Sequence, residues 1–419
     1  MDHAATEMKA RLFKPARSAA MYPRMEEELT REWKARRAKS RKVSPRWMQI
    51  RSRHLMRKHY PEKVAAWKAS RGWQRNYCKR MNPPLVPRKV TNKRKHDTVE
   101  VEVPIMGRYH HGLRILVQSE PKKRPQKGSV EEQDVEKFGR FAKRRRLSKD
   151  QIPLPFVVNQ NTTYDERGRE VIKVKAGSDG LTKRQFTAEL TFAAGREPEQ
   201  QPKPGIVFRG QGKLPQAELQ AYSDDVHVYH QRCAWVDRPV SLQIAKDLVA
   251  DEKRNLGLDA EWLLSVDQLD AQKQLAYKKI IGDAGGKVVH PPAGLTHQGA
   301  AVDRGYGRAV QCEIMLQQDL WCDANEENYE RWESGSLSAG DRRILMSFWL
   351  GAAVKVVNGK LSALEKYMGH AGLLMTADGS DDDLIKLEGL PKNFKYDFMS
   401  MEPDPWLASH GSEEDPTLF

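Results

Sequence analysis

The residue whose position most suggests chemistry is an aspartate at the end of an apolar run. Residues 261–266 read EWLLSV, which is typical of a fully buried strand, and Asp267 follows directly. Burying a carboxylate is costly unless a cationic partner or a metal ion offsets its charge. The local sequence therefore leaves two interpretations of Asp267 open, a metal-binding residue and a structural capping or turn aspartate.

A second kind of chemistry is concentrated in the N-terminal part of the chain. Residues 31–95 contain 23 Lys or Arg and 2 Asp or Glu, within 419 residues of formal net charge +15. So basic a stretch favours a polyanionic partner, with nucleic acid as the first candidate. A disordered basic tail is the alternative. However, disordered tails are poor in aromatic residues, and this stretch carries Trp33, Trp47, Trp67 and Trp73.

The basic stretch contains start and stop signals for three short helices. Ser44-Pro45 predicts the start of the first helix, and Pro61 predicts its end. A second short helix is expected around Val64 and Trp67. A turn follows, and a third helix is expected from about Arg71 onward to residue 81.

The third helix has the composition of a DNA-reading element. Its apolar side is formed by Trp73 and Tyr77, four residues apart. Its exposed side is expected to present Arg71, Gln74, Arg75 and Lys79. Arg and Gln read guanine and adenine edges, and Lys mostly contacts phosphate, so the pattern favours a helix-turn-helix domain. A small helical bundle with a solvated basic face is the alternative.

The rest of the chain predicts a mixed domain and excludes several classes. Residues 151–419 hold 30 Lys or Arg and 40 Asp or Glu. Strands are expected over 170–175, 185–192 and 287–290, a turn over 177–180, and helices over 308–322 and 338–357. No apolar run approaches the ~18 residues of a membrane span, and no secretory signal is recognisable. The scattered Cys78, Cys233, Cys312 and Cys322 fit neither a zinc site nor a disulfide scaffold, so we expect a soluble intracellular chain with no membrane partner.

The basic stretch resembles a known DNA-binding domain. Ala69-Ser70-Arg71-Gly72-Trp73, Tyr77, Lys79-Arg80, Arg88-Lys89 and Thr91-Asn92 resemble the centromere-protein-B-type helix-turn-helix of pogo/Tigger-like, mariner-related transposases. The resemblance implies that double-stranded DNA is the partner. The residues assigned to DNA binding are Arg71, Gln74, Arg75, Lys79, Arg80, Arg88, Lys89, Lys93 and Arg94.

Three downstream segments resemble the DDE endonuclease domain of the same transposases. Residues 150–159 (DQIPLPFVVN) resemble its first catalytic segment, and residues 262–269 (WLLSVDQL) its second. Pro291-Pro292, Thr296, Val302-Asp303, Gly305 and Gly307-Arg308 resemble the segment of the third acid. The resemblance implies an RNase H-like domain in which Asp150, Asp267 and Asp303 bind Mg²⁺ (or Mn²⁺) and catalyse DNA cleavage and strand transfer.

Several positions depart from the family pattern near these acids. Lys149 precedes the first acid, where it is expected to compete with the metal. Gln268 and Gln272 replace an Asn and a His, and Ala300-Ala301 replaces Gln-Pro. Two functions therefore stay open: a metal-dependent transposase, and a domesticated, catalytically inactive DNA-binding protein that keeps the fold as a scaffold. A basic RNA-associated protein is a third.

The expected organisation is α+β and multidomain, with an all-α helix-turn-helix domain before an RNase H-like α/β catalytic domain. We expect a flexible segment over 1–30, the DNA-binding domain over 31–97, a basic linker over 98–145, the catalytic domain over 146–375 and an acidic tail over 376–419. Basic clusters at 93–95, 122–127 and 143–146 are candidate nuclear-import signals, so nuclear localisation is expected. A homo-oligomer is possible.

Overall fold

The protein is described by a computed structural model. It describes residues 20–38, 43, 45–81, 84–85, 99–121, 123, 127–155, 185–210, 214–333, 336–390 and 394–409. The expected strand over 170–175 and the turn over 177–180 lie outside these residues. The chain divides into two compact units, Met1–Asp97 and Thr98–Phe419.

The described residues of the first unit form helices α1 (Pro23–Ala38), α2 (Pro45–His59) and α3 (Arg71–Arg80). The predicted starts of α2 and α3 are confirmed, and the Ser70 hydroxyl accepts a hydrogen bond from the Trp73 amide at 3.1 Å as the cap of α3. The prediction of a second short helix around Val64 and Trp67 was wrong, because the described chain there forms one 3₁₀ turn, Pro61–Lys63. The small core of this unit contains Met25, Leu29, Leu55, Met56 and Tyr77.

The first helix begins earlier than the expected domain boundary. Met25 and Leu29 of α1 are fully buried against α2 and α3, although residues up to 30 were expected to be flexible. Residues 23–30 show no apolar periodicity strong enough to predict this helix, because Met25 and Leu29 are their only apolar side chains that become buried. The helical unit therefore includes α1.

The second unit is built around one six-stranded sheet. Its strands are β1 (Arg146–Pro155), β2 (Gln185–Ala193), β3 (Gly205–Arg209), β4 (His227–Gln231), β5 (Trp262–Val266) and β6 (Gly286–Val289), in the order β4-β3-β2-β1-β5-β6. β2 pairs antiparallel with both β1 and β3. β5 pairs parallel with β1, and β6 pairs parallel with β5. This arrangement of five strands is the RNase H-like topology, with β4 added in parallel beside β3. The expected fold class is confirmed.

Helices cover the sheet and complete its core. They are α4 (Val99–Gln118), α5 (Val130–Phe138), α6 (Gln216–Gln220), α7 (Arg238–Leu256), α8 (Leu275–Asp283), α9 (Thr296–Gly299), α10 (Gly307–Asp323), α11 (Glu326–Glu333), α12 (Ala339–Asn358), α13 (Leu361–His370) and α14 (Pro405–Ser409). The predicted capping box of α12 is present, with Ser338 and Asp341 each accepting a bond from the other's amide at 3.0 Å.

Two segments expected to be peripheral belong to this core. Residues 98–145 were expected to form a linker, but Met106, Tyr109 and Leu113 of α4 are buried. Residues 376–419 were expected to form a solvated tail, but Phe398 and Leu407 pack into the same core. Tertiary burial thus orders both segments, which their charge-rich composition did not predict.

The basic cluster at 143–146 is not an accessible import signal. Arg145 and Arg146 are 1% exposed. The Arg146 guanidinium donates to the carbonyls of Phe141, Leu373 and Met375 at 2.9, 3.1 and 2.8 Å. This side chain therefore holds the start of β1 against the segment that follows α13.

Among the described residues, no single helix is both long and apolar enough to cross a membrane. Taken together, α12 and α13 have the length and the apolar composition of a membrane-spanning helix, but the chain bends by 84° between them.

Candidate functional site

Two of the three predicted acids lie side by side at neighbouring parallel strands, Asp150 within β1 and Asp267 directly after β5. Lys149 of β1 is opposite Val266 of β5. Asp150 and Asp267 each come one residue later. Because side chains alternate between the two faces of a sheet, these carboxylates extend from the same face. The β-sheet thus brings together residues that are far apart in sequence.

The third acid lies in a wide helical turn, Val302–Tyr306, between α9 and α10. The Ala301 amide donates to the Ser148 hydroxyl at 3.1 Å, which ties this segment to β1. Gly305 has φ +139°, and a Cβ there would meet the Tyr367 ring at 2.5 Å. Only glycine fits this turn. The glycine therefore fixes the path that places Asp303 beside the sheet.

The three carboxylates are close enough to influence one another's charge. Burial raises the pKa of Asp150 to about 8, and the negative charges of Asp303 and Asp267 add to the effect. Burial also raises the pKa of Asp303, with Asp267 as the next cause, although one side of Asp303 reaches solvent. Mutual repulsion of this kind is expected where acids are gathered without a cation.

The partners of these carboxylates suit a hard cation. Asp150 Oδ1 accepts a hydrogen bond from the Gln151 amide at 2.7 Å, and Asp267 Oδ1 accepts one from the Gln268 amide at 2.6 Å. Within the described ranges, neither these acids nor Asp303 forms an ion pair with Lys or Arg. Carboxylate oxygens are the ligands that Mg²⁺ and Mn²⁺ prefer. However, no three His, Cys, Asp or Glu side chains among the residues described lie close enough to hold a metal ion.

The raised pKa of Asp150 predicts a pH-dependent stability in metal-free buffer. The folded protein holds the Asp150 proton up to about pH 8, whereas the unfolded chain releases it near the ordinary value of 3.8. The resulting stability is complete below the unfolded pKa and is lost as the pH rises through the folded one. Asp150→Asn should therefore stabilise the protein by roughly 2–4 kcal/mol at pH 9. Urea unfolding in EDTA at pH 4 and pH 9 measures this, and an equal effect at both values would contradict it.

Lys149, which was expected to compete with a metal ion, pairs with a different acid. Its side chain extends from the opposite face of β1 and forms a buried ion pair with Glu189 of β2, the two side chains being 1% and 2% exposed. Sequence reasoning missed Glu189. No local signal marked it, since Glu189 occupies a polar position of the alternating strand QFTAELTF, as a solvent-facing residue would. Lys149 therefore neutralises a buried acid on the face of the sheet opposite the Asp150 carboxylate.

Two glutamines hold the loop that follows β5. The Gln272 amide lies 3.1 Å from both Lys149 Nζ and the Asp267 carbonyl, and it satisfies both when its nitrogen faces the carbonyl. Gln268 Nε2 donates to the Pro291 carbonyl at 2.9 Å. Both glutamines thus bond to backbone or to Lys149 while staying beside Asp267. Gln268 and Gln272, two of the residues that differ from the transposase motif, therefore both have hydrogen-bond partners.

The candidate DNA-reading surface of α3 is smaller than expected. Arg71, Arg75 and Lys79 are exposed. Gln74 was wrongly placed on this surface, because it is 8% exposed and donates to Met48 Sδ at 3.4 Å. Arg80 is half-buried and pairs with Glu26 of α1 at 2.5 Å, so its charge is already matched. The remaining assigned residues, Arg88, Lys89, Lys93 and Arg94, lie outside the described residues.

Acids of α1 neutralise one side of α2. Lys58 pairs with Glu28 at 2.8 Å, and Arg51 pairs with Glu32. Lys58 and His59, both bonded to Glu28, hold the pKa of that carboxyl at about 2. Arg53 and Arg57 of α2 are exposed and were not singled out from the sequence. They are further exposed cations of this unit.

Comparisons with known proteins give only distant structural similarity. No protein-family model matches the chain, and no curated protein matches it. A Mos1 transposase paired-end complex with the left transposon end aligns over 83% of this chain and 78% of that one, with 11% identity and a TM-score of 0.38. The Mos1 mariner paired-end complex with Mn aligns over 80% and 79%, with 10% identity and the same TM-score. These values carry no inference about activity.

Proposed function

We propose that this chain is a transposase-derived DNA-binding protein whose second unit is a DDE-type endonuclease and strand transferase that uses Mg²⁺ or Mn²⁺. The supporting observation is the gathering of Asp150, Asp267 and Asp303 on an RNase H-like sheet without a Lys or Arg partner in the described chain. The pogo/Tigger subtype, with its centromere-protein-B-type domain, rests on the sequence motifs. Nuclear localisation is part of the same proposal.

The three acids would hold the metal, and each contributes differently. When bound, the divalent ion supplies Lewis acidity at the attacking and leaving oxygens of a phosphodiester. Asp150 is protonated below about pH 8 in the metal-free protein, so metal binding must release its proton. Because no three of these side chains are yet at ligand spacing in the described residues, the carboxylates must also move closer together. Asp303 is exposed and lies outside the sheet, so strand pairing does not constrain it.

The first unit would deliver the DNA. Its exposed cations on α2 and α3 include Arg53, Arg57, Arg71, Arg75 and Lys79. Cations on one helical surface contact phosphates, and Arg can also read guanine in the major groove. The Trp73 ring stacks on Tyr77 at 5.6 Å, which fixes the opposite side of α3 in the core. DNA binding is therefore assigned to this exposed surface.

Substitutions on α3 should separate base reading from phosphate contact. Arg75→Ala should cost about 1–3 kcal/mol on the preferred sequence and relax base preference at one position. Lys79→Ala should weaken all sequences about equally and reduce the salt slope by about one. Selection from a random duplex library, followed by titration from 50 to 200 mM salt, measures both. Gln74→Ala is the control, since a buried residue should change stability and leave base preference unaltered.

The catalytic proposal is tested by DNA nicking. Full-length protein is incubated with Mg²⁺ or Mn²⁺ and either supercoiled plasmid or a duplex carrying the genomic sequences that flank its own coding region. Metal-dependent nicks at defined positions in the flanking sequence support a transposase. The proposal fails if the protein binds DNA but neither binds a divalent ion nor cuts.

One observation favours the second candidate, a domesticated scaffold without catalysis. The acids, as far as the described chain shows, are not spaced to hold a metal directly. A scaffold would still require the DNA-binding surface of α2 and α3 and the stable sheet. Isothermal titration of the protein with Mg²⁺ and Mn²⁺ distinguishes the two, because a scaffold should give no heat of binding that depends on Asp267.

A further inference from the structure

A tryptophan outside the metal site stands exposed on a strained turn. Trp235 follows β4 and has 75% of its surface exposed. This is the largest exposed fraction of any Phe, Tyr or Trp in the described residues. The preceding Ala234 has φ +57°, and within the described ranges it is the one non-glycine residue with a left-handed backbone. Such strain persists only where the surrounding structure imposes it, and it concentrates at functional positions.

Hydrogen bonds from three directions hold this turn. The Ala234 carbonyl accepts from the Thr187 hydroxyl at 2.7 Å, and the Ala234 amide donates to the Gln231 carbonyl at 3.2 Å. The Gln231 side chain accepts from the Cys233 amide at 2.5 Å and donates to Asp237 at 3.1 Å. Asp237 in turn caps α7. The indole is therefore presented by a rigid turn.

The turn lies at the same edge of the sheet as the gathered acids. β4 and β3 run in the same direction as β1, because β2 is antiparallel to both β1 and β3. Thr187, which anchors the turn, pairs with Pro153, three residues beyond Asp150 on β1. At the usual strand rise and spacing, Thr187 is roughly 11 Å from the Asp150 backbone. Because side chains alternate along a strand, the Thr187 hydroxyl extends from the face opposite the Asp150 carboxylate, so a nucleic-acid strand that contacts both places passes around the end of the sheet.

The charge around the indole fits a phosphate backbone. Arg209 at the end of β3, Arg232 in the turn and Arg238 at the start of α7 are all exposed. Aromatic rings flanked by cations are typical of surfaces that bind unpaired nucleotides, where the ring stacks on a base and the cations contact phosphates. A protein partner would favour an apolar rim, and these arginines oppose it.

We propose that Trp235 stacks on an unpaired base of the DNA strand next to the carboxylate site, with the surrounding arginines on its phosphates. The proposal rests on the proposed DNA function but not on catalysis. A paired base is already stacked on its neighbours, so the indole gains a contact only where the duplex is open. The site therefore distinguishes opened from closed DNA near the position of cutting.

Full-length protein in EDTA is titrated with two DNAs of equal length, one fully paired and one with a short unpaired gap that carries 2-aminopurine. Wild-type protein should prefer the gapped DNA and quench the 2-aminopurine fluorescence. Trp235→Ala should reduce that preference by roughly five- to one-hundred-fold and remove the quenching. Trp235→Phe should keep much of both, since a smaller ring still stacks.

Phe348→Ala is the matched control, because Phe348 is an exposed aromatic residue on α12 with 51% of its surface exposed. It should leave both signals unchanged. Equal binding of the two DNAs by wild-type protein, or an unchanged preference in Trp235→Ala, overturns this proposal and leaves the DNA function standing. Failure of wild-type protein to bind either DNA overturns both.

Discussion

Asp267→Asn is expected to lower the rate of metal-dependent nicking by on the order of 10³-fold or more, because a metal ion contributes several kcal/mol to the stabilisation of a phosphodiester transition state. Asp267 follows β5 directly and lies beside Asp150 on β1. Asparagine keeps the size of the side chain and removes its charge. Single-turnover nicking of duplex DNA in Mg²⁺ and Mn²⁺ measures the loss.

The matched control is Asp270→Asn, which removes an exposed acid from the same loop. Its nicking rate should stay within about twofold of wild type, since surface substitutions away from a site have small effects. DNA affinity in metal-free buffer should be unchanged in both variants, because neither acid is among the residues assigned to DNA binding. Equal nicking by Asp267→Asn and wild type would remove Asp267 from the metal site.

Local sequence signals predicted the elements that depend on near neighbours. The apolar run before Asp267 became a fully buried strand, β5, and the Ser338 and Asp341 pattern became a capping box. The start of α3 near Arg71 followed from the turn predicted before it, and Ser70 caps the helix there. In each case the residues that decide the structure lie within a few positions of one another. Periodicity and capping rules apply to such short spans.

What the sequence could not predict depends on contacts between distant segments. Gln74 lies on the helical face expected to be exposed, but Met48 of α2 covers it. The expected linker and tail both carry many charges, yet α4 and α14 bury apolar side chains in the same core. Nor could strand order be read from spacing, so the pairing of Lys149 with Glu189 remained hidden. Burial of a charged residue becomes predictable only when its partner is known.

The buried pair of Lys149 and Glu189 gives the largest expected effect on stability. Lys149→Met should lower the free energy of unfolding by about 3–5 kcal/mol, because it leaves the Glu189 carboxylate buried without its cation. Glu189 is 2% exposed, and in the described chain Lys149 is its ion-pair partner. Glu189→Leu alone should cost a similar amount by leaving the ammonium unpaired. Urea unfolding followed by circular dichroism measures both.

The double variant Lys149→Met/Glu189→Leu should recover most of this loss, since two apolar side chains of similar size can replace a buried ion pair. Lys355→Met is the exposed control. Lys355 pairs with Asp225 at 2.7 Å, with 61% and 41% of the two side chains exposed, and its loss should cost at most about 1 kcal/mol. If Lys149→Met is as stable as wild type and binds Mg²⁺ more tightly, the ammonium acts on the metal-binding carboxylates and not on Glu189. If Lys149→Met is destabilised and the added Glu189→Leu restores the stability, the role of Lys149 is to pair with Glu189. The presence of Lys149 next to Asp150 then does not argue against catalysis.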